Sequence, residues 1–179
     1  MKKVNEEIAQ LKRNVFSEDR QLVKLSVDRL LELVGKDGLD FLISLLALDN
    51  PYLRDIAALA LADIKDNRAL EPLLSAIFKT ENHNFNGTLV FALQSFDCSQ
   101  KLKDIFKILF YQDYESKIGA YTILSDQIFE FRKEDILEIG QMWRDCKKNS
   151  NQCLCYDDIE SQKMMQDTVD GFMEYLKSK

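Results

Sequence analysis

The chain is poor in the residues that make turns, with two prolines and six glycines among its 179 residues. So few turn formers argue against an all-β fold, which needs many tight turns. No stretch approaches the roughly 20 consecutive apolar residues that span a bilayer. The polar beginning of the chain also lacks the apolar core of a secretory signal. We therefore expect a cytoplasmic protein with no membrane segment.

Residues that carry chemistry are scarce as well. The one histidine, His83, lies in a polar stretch with no nucleophile beside it, so a Ser–His or Cys–His enzyme has at most one candidate base. Cys153 and Cys155, with Cys146 before them, lack the second ligand pair of a structural zinc site. We expect no catalytic residue, no metal and no cofactor, and we expect the four cysteines to be reduced thiols.

Positive charge is in deficit, because 24 bases face 30 acids and leave a formal net charge of −6. Nucleic-acid binding draws its affinity mainly from bases that neutralise phosphates, so direct binding of nucleic acid is disfavoured. The surplus of acids lies in residues 37–100 and 111–179, whereas residues 1–36 are slightly basic. A cationic protein partner suits this balance better.

Apolar residues recur along the chain with a period of 31 to 32 residues. Each copy spaces them at i, i+3, i+4 and i+7, which places them on one face of a helix. Two such helices per unit, each unit stacked on the next, predict an all-α fold, an α-solenoid of stacked antiparallel helix pairs. One stripe recurs at 39–46, 70–77 and 102–109, with a fainter copy at Ile136 and Leu137, and the second stripe runs from Leu53 to Ile64 and from Phe85 to Phe96.

This periodicity also predicts the organisation of the chain, which we expect to be a single domain over residues 1–179. An N-terminal helix in 1–16 opens the stack, and about four helix pairs follow in 17–147. The pattern then stops at a polar linker, and residues 148–179 hold that linker and a last amphipathic helix. We expect this helix to cap the exposed end of the core.

One unit, residues 49–79, resembles a HEAT repeat. Its first helix has Pro51 and Arg54 near the start and an alanine-rich packing face, and residues 65–74 are similar to the turn and second helix of such a repeat, including Pro72. The resemblance implies a HEAT-like α-solenoid. HEAT proteins serve mainly as binding scaffolds, and a few are lyases or DNA-repair enzymes.

The units at 85–111 and 116–147 keep the apolar pattern but depart from the HEAT signature. The stretch from Asn84 to Gly87 stands where HEAT units favour proline and arginine. The resemblance further implies that Arg54 and the turn residue Asp66 make structural polar contacts between neighbouring repeats.

Acidic and aromatic residues interleave in the C-terminal half of the chain. Aromatic side chains ringed by charge of one sign suit an interface with a basic protein. The alternative interpretation is a solvated acidic rim whose aromatic residues belong to the core. The candidate partner-binding residues are Tyr111, Tyr114, Asp126, Glu130, Glu134, Asp135, Glu138, Trp143, Asp157 and Asp158.

Size, acidity and solenoid class together favour a protein-binding module that is not an enzyme. In these respects the chain resembles a bacterial immunity protein of the contact-dependent growth inhibition type. That resemblance implies a monomer that neutralises a cognate antibacterial toxin, a basic nuclease domain, by covering its active or substrate-binding surface. Two alternatives stay open: an adaptor or assembly scaffold subunit, and a HEAT-type lyase or nucleic-acid repair enzyme.

Overall fold

The structure, a computed structural model, describes residues 2–34, 38–82, 85–149, 153, 156 and 158–177. Within these residues the chain forms ten α-helices and no strand, which confirms the prediction of an all-α fold. The helices are α1 (Lys2–Asn14), α2 (Arg20–Val34), α3 (Leu39–Leu46), α4 (Pro51–Ile64), α5 (Leu70–Ile77), α6 (Gly87–Leu93), α7 (Leu102–Tyr111), α8 (Tyr114–Asp126), α9 (Lys133–Lys148) and α10 (Ile159–Glu174).

The helices form two rows, as the two stripes predict. In the first row α2, α4, α6, α8 and α10 each contact the next, and in the second row α3 packs on α5 and α7 packs on α9. Across the rows the closest pairs are α1 with α2, α3 with α4, α5 with α6, α7 with α8 and α9 with α10. The arrangement is a helical solenoid in which α1 opens the stack and α10 covers its other end against α8 and α9.

The core lies between the two rows and is built from the predicted stripes. Leu42, Leu73 and Phe106 from the second row and Leu61 and Leu93 from the first are all at most 2% exposed. Burying such side chains contributes about 1.5–3 kcal/mol each. The stacked rows therefore account for both the periodicity and the stability of the fold.

Two positions of the predicted stripes are exposed instead of buried. Phe85 is 64% exposed because α6 begins only at Gly87, so helical spacing does not extend back to residue 85. Leu137 is 49% exposed, because the buried side of α9 runs through Ile136, Ile139 and later residues at helical spacing, and Leu137 points away from it. Both predictions of burial were wrong.

A ladder of buried polar side chains recurs at the same period as the apolar stripes. Arg54 donates through Nη1 to a carbonyl oxygen just past the end of α3 at 3.3 Å, and Asn86 donates through Nδ2 to the last carbonyl of α5 at 2.9 Å. Lys117 donates through Nζ to the carbonyls of Leu109 and Phe110, both at 2.9 Å, near the end of α7. Each donor satisfies a carbonyl at or just past the end of a helix and complements the negative end of that helix. The ladder ties the first row to the second at each repeat.

Cys146 and Cys153 are joined in a disulfide, so the prediction of reduced thiols is wrong for this pair. The two Cα atoms lie 5.8 Å apart, a proximity that spacing along the sequence does not reveal. Cys153 Sγ lies 2.8 Å from the carbonyl oxygen of Phe110, so the bridge packs on the end of α7. Cys98 is a buried free thiol, and burial raises its pKa to about 12. Cys155 lies outside the described residues.

In the part of the chain that the structure describes, no helix combines the length and the apolar character that a membrane crossing requires.

Candidate protein-binding surface

The first row of helices exposes large apolar side chains on its outer side. Leu59 on α4, Phe91 on α6 and Ile118 on α8 are 42%, 60% and 40% exposed. Single exposed apolar residues are ordinary on protein surfaces. These three, however, line one shallow concavity of about 430 Å³ that crosses the three helices. We therefore treat this concavity as a candidate interaction site.

A second concavity of about 410 Å³ adjoins the first and shares Gly87, Thr88 and Glu115 with it. It adds two exposed aromatic side chains and further carboxylates. Among the described residues that line either concavity, none is basic. We call this surface the acidic–apolar face, and its members are Asp55, Leu59, Phe85, Phe91, Tyr114, Glu115 and Ile118.

The face lacks positive charge because the basic residues of the helices that form it are buried. Helices α4, α6 and α8, which are described in full, contain two bases, Arg54 and Lys117. Arg54 is 2% exposed and Lys117 is fully buried, and both donate to helix-end carbonyls in the ladder. Burial raises the pKa of the Asp55 carboxyl above its ordinary value, and the nearby charge of Arg54 opposes that rise in part. The polar contacts that hold the repeats together thus leave an outer surface with acids alone.

Close approach of α6 and α8 forms the floor of the face. A Cβ atom at Gly119 would lie 2.8 Å from Cγ1 of Val90 on α6, a distance that real Cβ atoms do not tolerate. At the edge of the face, a Cβ atom at Gly87 would lie 2.6 Å from Oε2 of Glu115, which is the movable end of a side chain. Gly119 is therefore required for the packing of these two helices, whereas Gly87 is constrained less.

A larger groove of about 650 Å³ lies beyond the face, between the end of α8, the loop 127–131 and α10. Its walls are aromatic: the ring centroids of Phe131 and Tyr175 are 5.3 Å apart, and those of Phe131 and Phe172 are 5.9 Å apart. Ile128 on the loop is 90% exposed at its edge. We call this feature the aromatic groove.

Of the candidate residues predicted from sequence, two lie in or beside this first-row surface. Tyr114 is 51% exposed and belongs to the acidic–apolar face. Asp126 is exposed at the end of α8, next to the loop that forms the aromatic groove. Both residues are exposed, and their role in partner binding stays a prediction.

Four predicted acids lie on or beside the second row, where most of them meet polar partners. Asp135 and Glu138 both pair with Lys103 on α7, at 3.2 and 2.9 Å. Glu130 accepts a hydrogen bond from Gln100, and Glu134 is exposed at the start of α9. The pKa of Asp135 is lowered first by the Arg132 backbone N–H and also by Lys103. This side of the molecule therefore mixes both signs of charge.

The remaining predicted residues have structural contacts or lie outside the described residues. Trp143 is 4% exposed, stacks on Phe110 with centroids 5.5 Å apart, and donates through Nε1 to Gln166 at 2.8 Å. Trp143 therefore belongs to the core and is not exposed to a partner. Tyr111 is half-buried, and burial, followed by the charge of Asp145, raises the pKa of its phenol.

Asp158 caps the start of α10 by accepting from the Ser161 N–H at 2.8 Å. The side chain of Ser161, followed by this backbone N–H, lowers the pKa of the Asp158 carboxyl. Asp157 and His83 lie outside the described residues.

Sequence reasoning missed most of the acidic–apolar face. The available signal was the set of large apolar residues that do not fit the core stripes, such as Leu59 and Phe91. Each lies on a helix whose buried side is already supplied by other residues at helical spacing. Their exposure follows from that register.

Among the described residues, no group of three or more His, Cys, Asp or Glu side chains could hold a metal ion. No protein-family model matches the chain, and no curated protein matches it at significant similarity. The exposed surface is therefore the feature from which a function can be inferred.

Proposed function

We propose that the protein is a HEAT-like protein-binding module whose acidic–apolar face binds a basic protein. The observation that carries this proposal is a surface across α4, α6 and α8 that presents exposed apolar and aromatic side chains together with acids, while both bases of these helices are buried. Such a surface offers apolar anchors for affinity and one sign of charge for attraction and selectivity.

The partner that this chemistry suits best is an antibacterial toxin with a nuclease domain. A nuclease binds its substrate through bases that neutralise phosphates. Carboxylates such as Asp55 and Glu115, spaced along one face, can occupy the same basic cleft and exclude the substrate. In this proposal the protein is an immunity protein of the contact-dependent growth inhibition type that acts in the cytoplasm as a monomer and has no enzymatic activity.

The experiment is co-expression in bacteria with toxins encoded beside the gene, with growth and RNA or DNA integrity as readouts. The wild-type chain should restore growth. Glu115→Lys should abolish protection, because the introduced lysine would repel a basic partner from the acidic–apolar face. Glu134→Lys is the matched control, since Glu134 is an exposed acid on α9 in the other row, and it should protect like the wild type.

Three results would oppose the proposal. Failure of the wild type against every neighbouring toxin would favour an adaptor subunit instead. Equal loss of protection in both variants would show that overall charge, and not this face, determines binding. A Cys146–Cys153 bond that is fully oxidised in cells, measured by alkylation and mass spectrometry, would contradict the cytoplasmic location.

A further inference from the structure

The aromatic groove differs from the acidic–apolar face in shape and in charge. It is a single concavity of about 650 Å³, within the range of sites that bind a ligand or a short peptide segment. Among the described residues that line it, Asp167 is the one charged side chain. The rest are aromatic, aliphatic or small polar residues. The groove therefore combines apolar walls with a single negative charge.

The α10 wall of the groove is a regular helical stripe. Asp167, Gly171 and Tyr175 follow one another at i, i+4 and i+8, with Thr168 and Phe172 beside them. A Cβ atom placed on Gly171 would have no neighbour within 4 Å, so the glycine leaves open space in the middle of this wall. Packing of α10 does not require a glycine there.

Asp167 is exposed and has no hydrogen bond or ion pair with any other residue that the structure describes. Its carboxylate is thus available to a cation that enters the groove. Aromatic rings attract cations through the negative charge of their faces, and guanidinium groups stack on such rings more readily than ammonium groups do. The methylene stem of an arginine would meanwhile contact the apolar edge at Ile128.

From these observations we infer that the aromatic groove binds an arginine-bearing segment of the protein partner, with the guanidinium between the aromatic wall and Asp167. The inference rests on the proposed function, because a basic partner supplies such a segment. The groove lies at the far end of the first row from α2, and Tyr121 of its lining is one helical turn from Ile118 of the acidic–apolar face. One partner can therefore contact both.

The test is an NMR titration of the ¹⁵N-labelled protein with two peptides, acetyl-Leu-Arg-Leu-amide and the same peptide with citrulline in place of arginine. Citrulline keeps the shape and removes the charge. We expect the arginine peptide to shift the amides of Ile128, Asp167, Thr168 and Gly171, and the citrulline peptide to bind about fivefold more weakly.

Three variants make the result specific to the groove. Gly171→Leu fills the open space with a good helix former and should abolish the shifts, with circular dichroism confirming that the helices are intact. Asp167→Asn should weaken the arginine peptide about fivefold. Asp170→Asn, a carboxylate on the same helix that does not line the groove, should leave the affinity unchanged.

Equal binding of the two peptides, or full binding by Gly171→Leu, would overturn the inference. Groove shifts that appear on concentrating the protein alone would overturn it too, because a second copy of the chain would then be the occupant. The outcome is separable from the growth experiment. Peptide binding without any protection would refute the immunity function alone, and protection that depends on Glu115 without peptide binding would refute the groove alone.

Discussion

The substitution Lys117→Met tests whether the buried ladder holds the two rows of helices together. Lys117 is fully buried, and its Nζ atom lies 2.9 Å from two carbonyl oxygens near the end of α7. Methionine keeps most of the side-chain volume but has no donor, so both carbonyls lose this ammonium as a partner. Each hydrogen bond from a charged group contributes about 1.5–3 kcal/mol, and each buried carbonyl left without a donor costs about 1–3 kcal/mol.

Removing a buried ammonium also removes its desolvation cost, which offsets part of this loss. We expect a net decrease of about 3 kcal/mol in the free energy of unfolding. For a domain of this size that corresponds to a fall in Tm of about 6–12 °C. The assay is urea and thermal unfolding followed by circular dichroism at 222 nm.

Lys107→Met provides the matched control on the same helix. Lys107 is 47% exposed and pairs with Asp104 at 3.0 Å, an i, i+3 surface pair worth about 0.5 kcal/mol or less. Its substitution should therefore change stability little. If Lys117→Met stays within about 1 kcal/mol of the wild type, or if both variants lose the same stability, the ladder is not a stabilising element.

Other consequences follow from packing, burial and the disulfide. Gly119→Ala should lower the free energy of unfolding by about 1–3 kcal/mol, because its Cβ atom clashes with α6. Gly171→Ala, whose Cβ atom meets no neighbour, should raise the free energy of unfolding by up to about 1 kcal/mol. Thermal unfolding of the two variants compares them directly. Because burial raises the pKa of Asp55 in the folded state, its ionisation opposes folding, so Asp55→Asn should raise stability at pH 7. This gain in stability should shrink as the pH falls through the pKa of Asp55 in the folded state, and it should vanish below pH 3.8. If urea unfolding shows a gain that does not depend on pH, the ionisation of Asp55 is not its cause. Cys153→Ser should cost about 2.5 kcal/mol in oxidised protein, and wild type and variant should differ much less with reductant present.

The fold could be predicted because the apolar residues recur at the spacing of the helix faces that pack against each other. The stripes at 39–46 and 70–77 predict helices α3 and α5 almost to the residue. The prediction failed where the chain leaves the helix or changes register. Phe85 precedes α6, and Leu137 is one position away from the buried side of α9. Spacing alone does not say where a helix begins.

The candidate site was harder to predict from the sequence than the fold was. The numbers of acidic and basic residues do not show which of these side chains are buried and which are exposed. Arg54 and Lys117 count as surface bases in the composition, yet the fold buries both and leaves their helices with exposed acids. Conversely, Asp135 and Glu138 count as free acids, although Lys103, more than 30 residues earlier in the chain, pairs with both. Only the packing of the rows shows which charged side chains are exposed and unpaired.

The most direct test of the central claim is the affinity of a neighbouring basic toxin domain for two matched variants, measured by isothermal titration calorimetry. Ile118→Lys places a base in the acidic–apolar face, and Leu137→Lys makes a similar change at an exposed aliphatic residue of α9. We predict that Ile118→Lys weakens binding by about 30-fold or more, as loss of a hot-spot contact of about 2 kcal/mol implies, and that Leu137→Lys binds like the wild type. Unchanged binding by Ile118→Lys, or a larger loss in Leu137→Lys, would contradict the assignment of partner binding to the face formed by α4, α6 and α8.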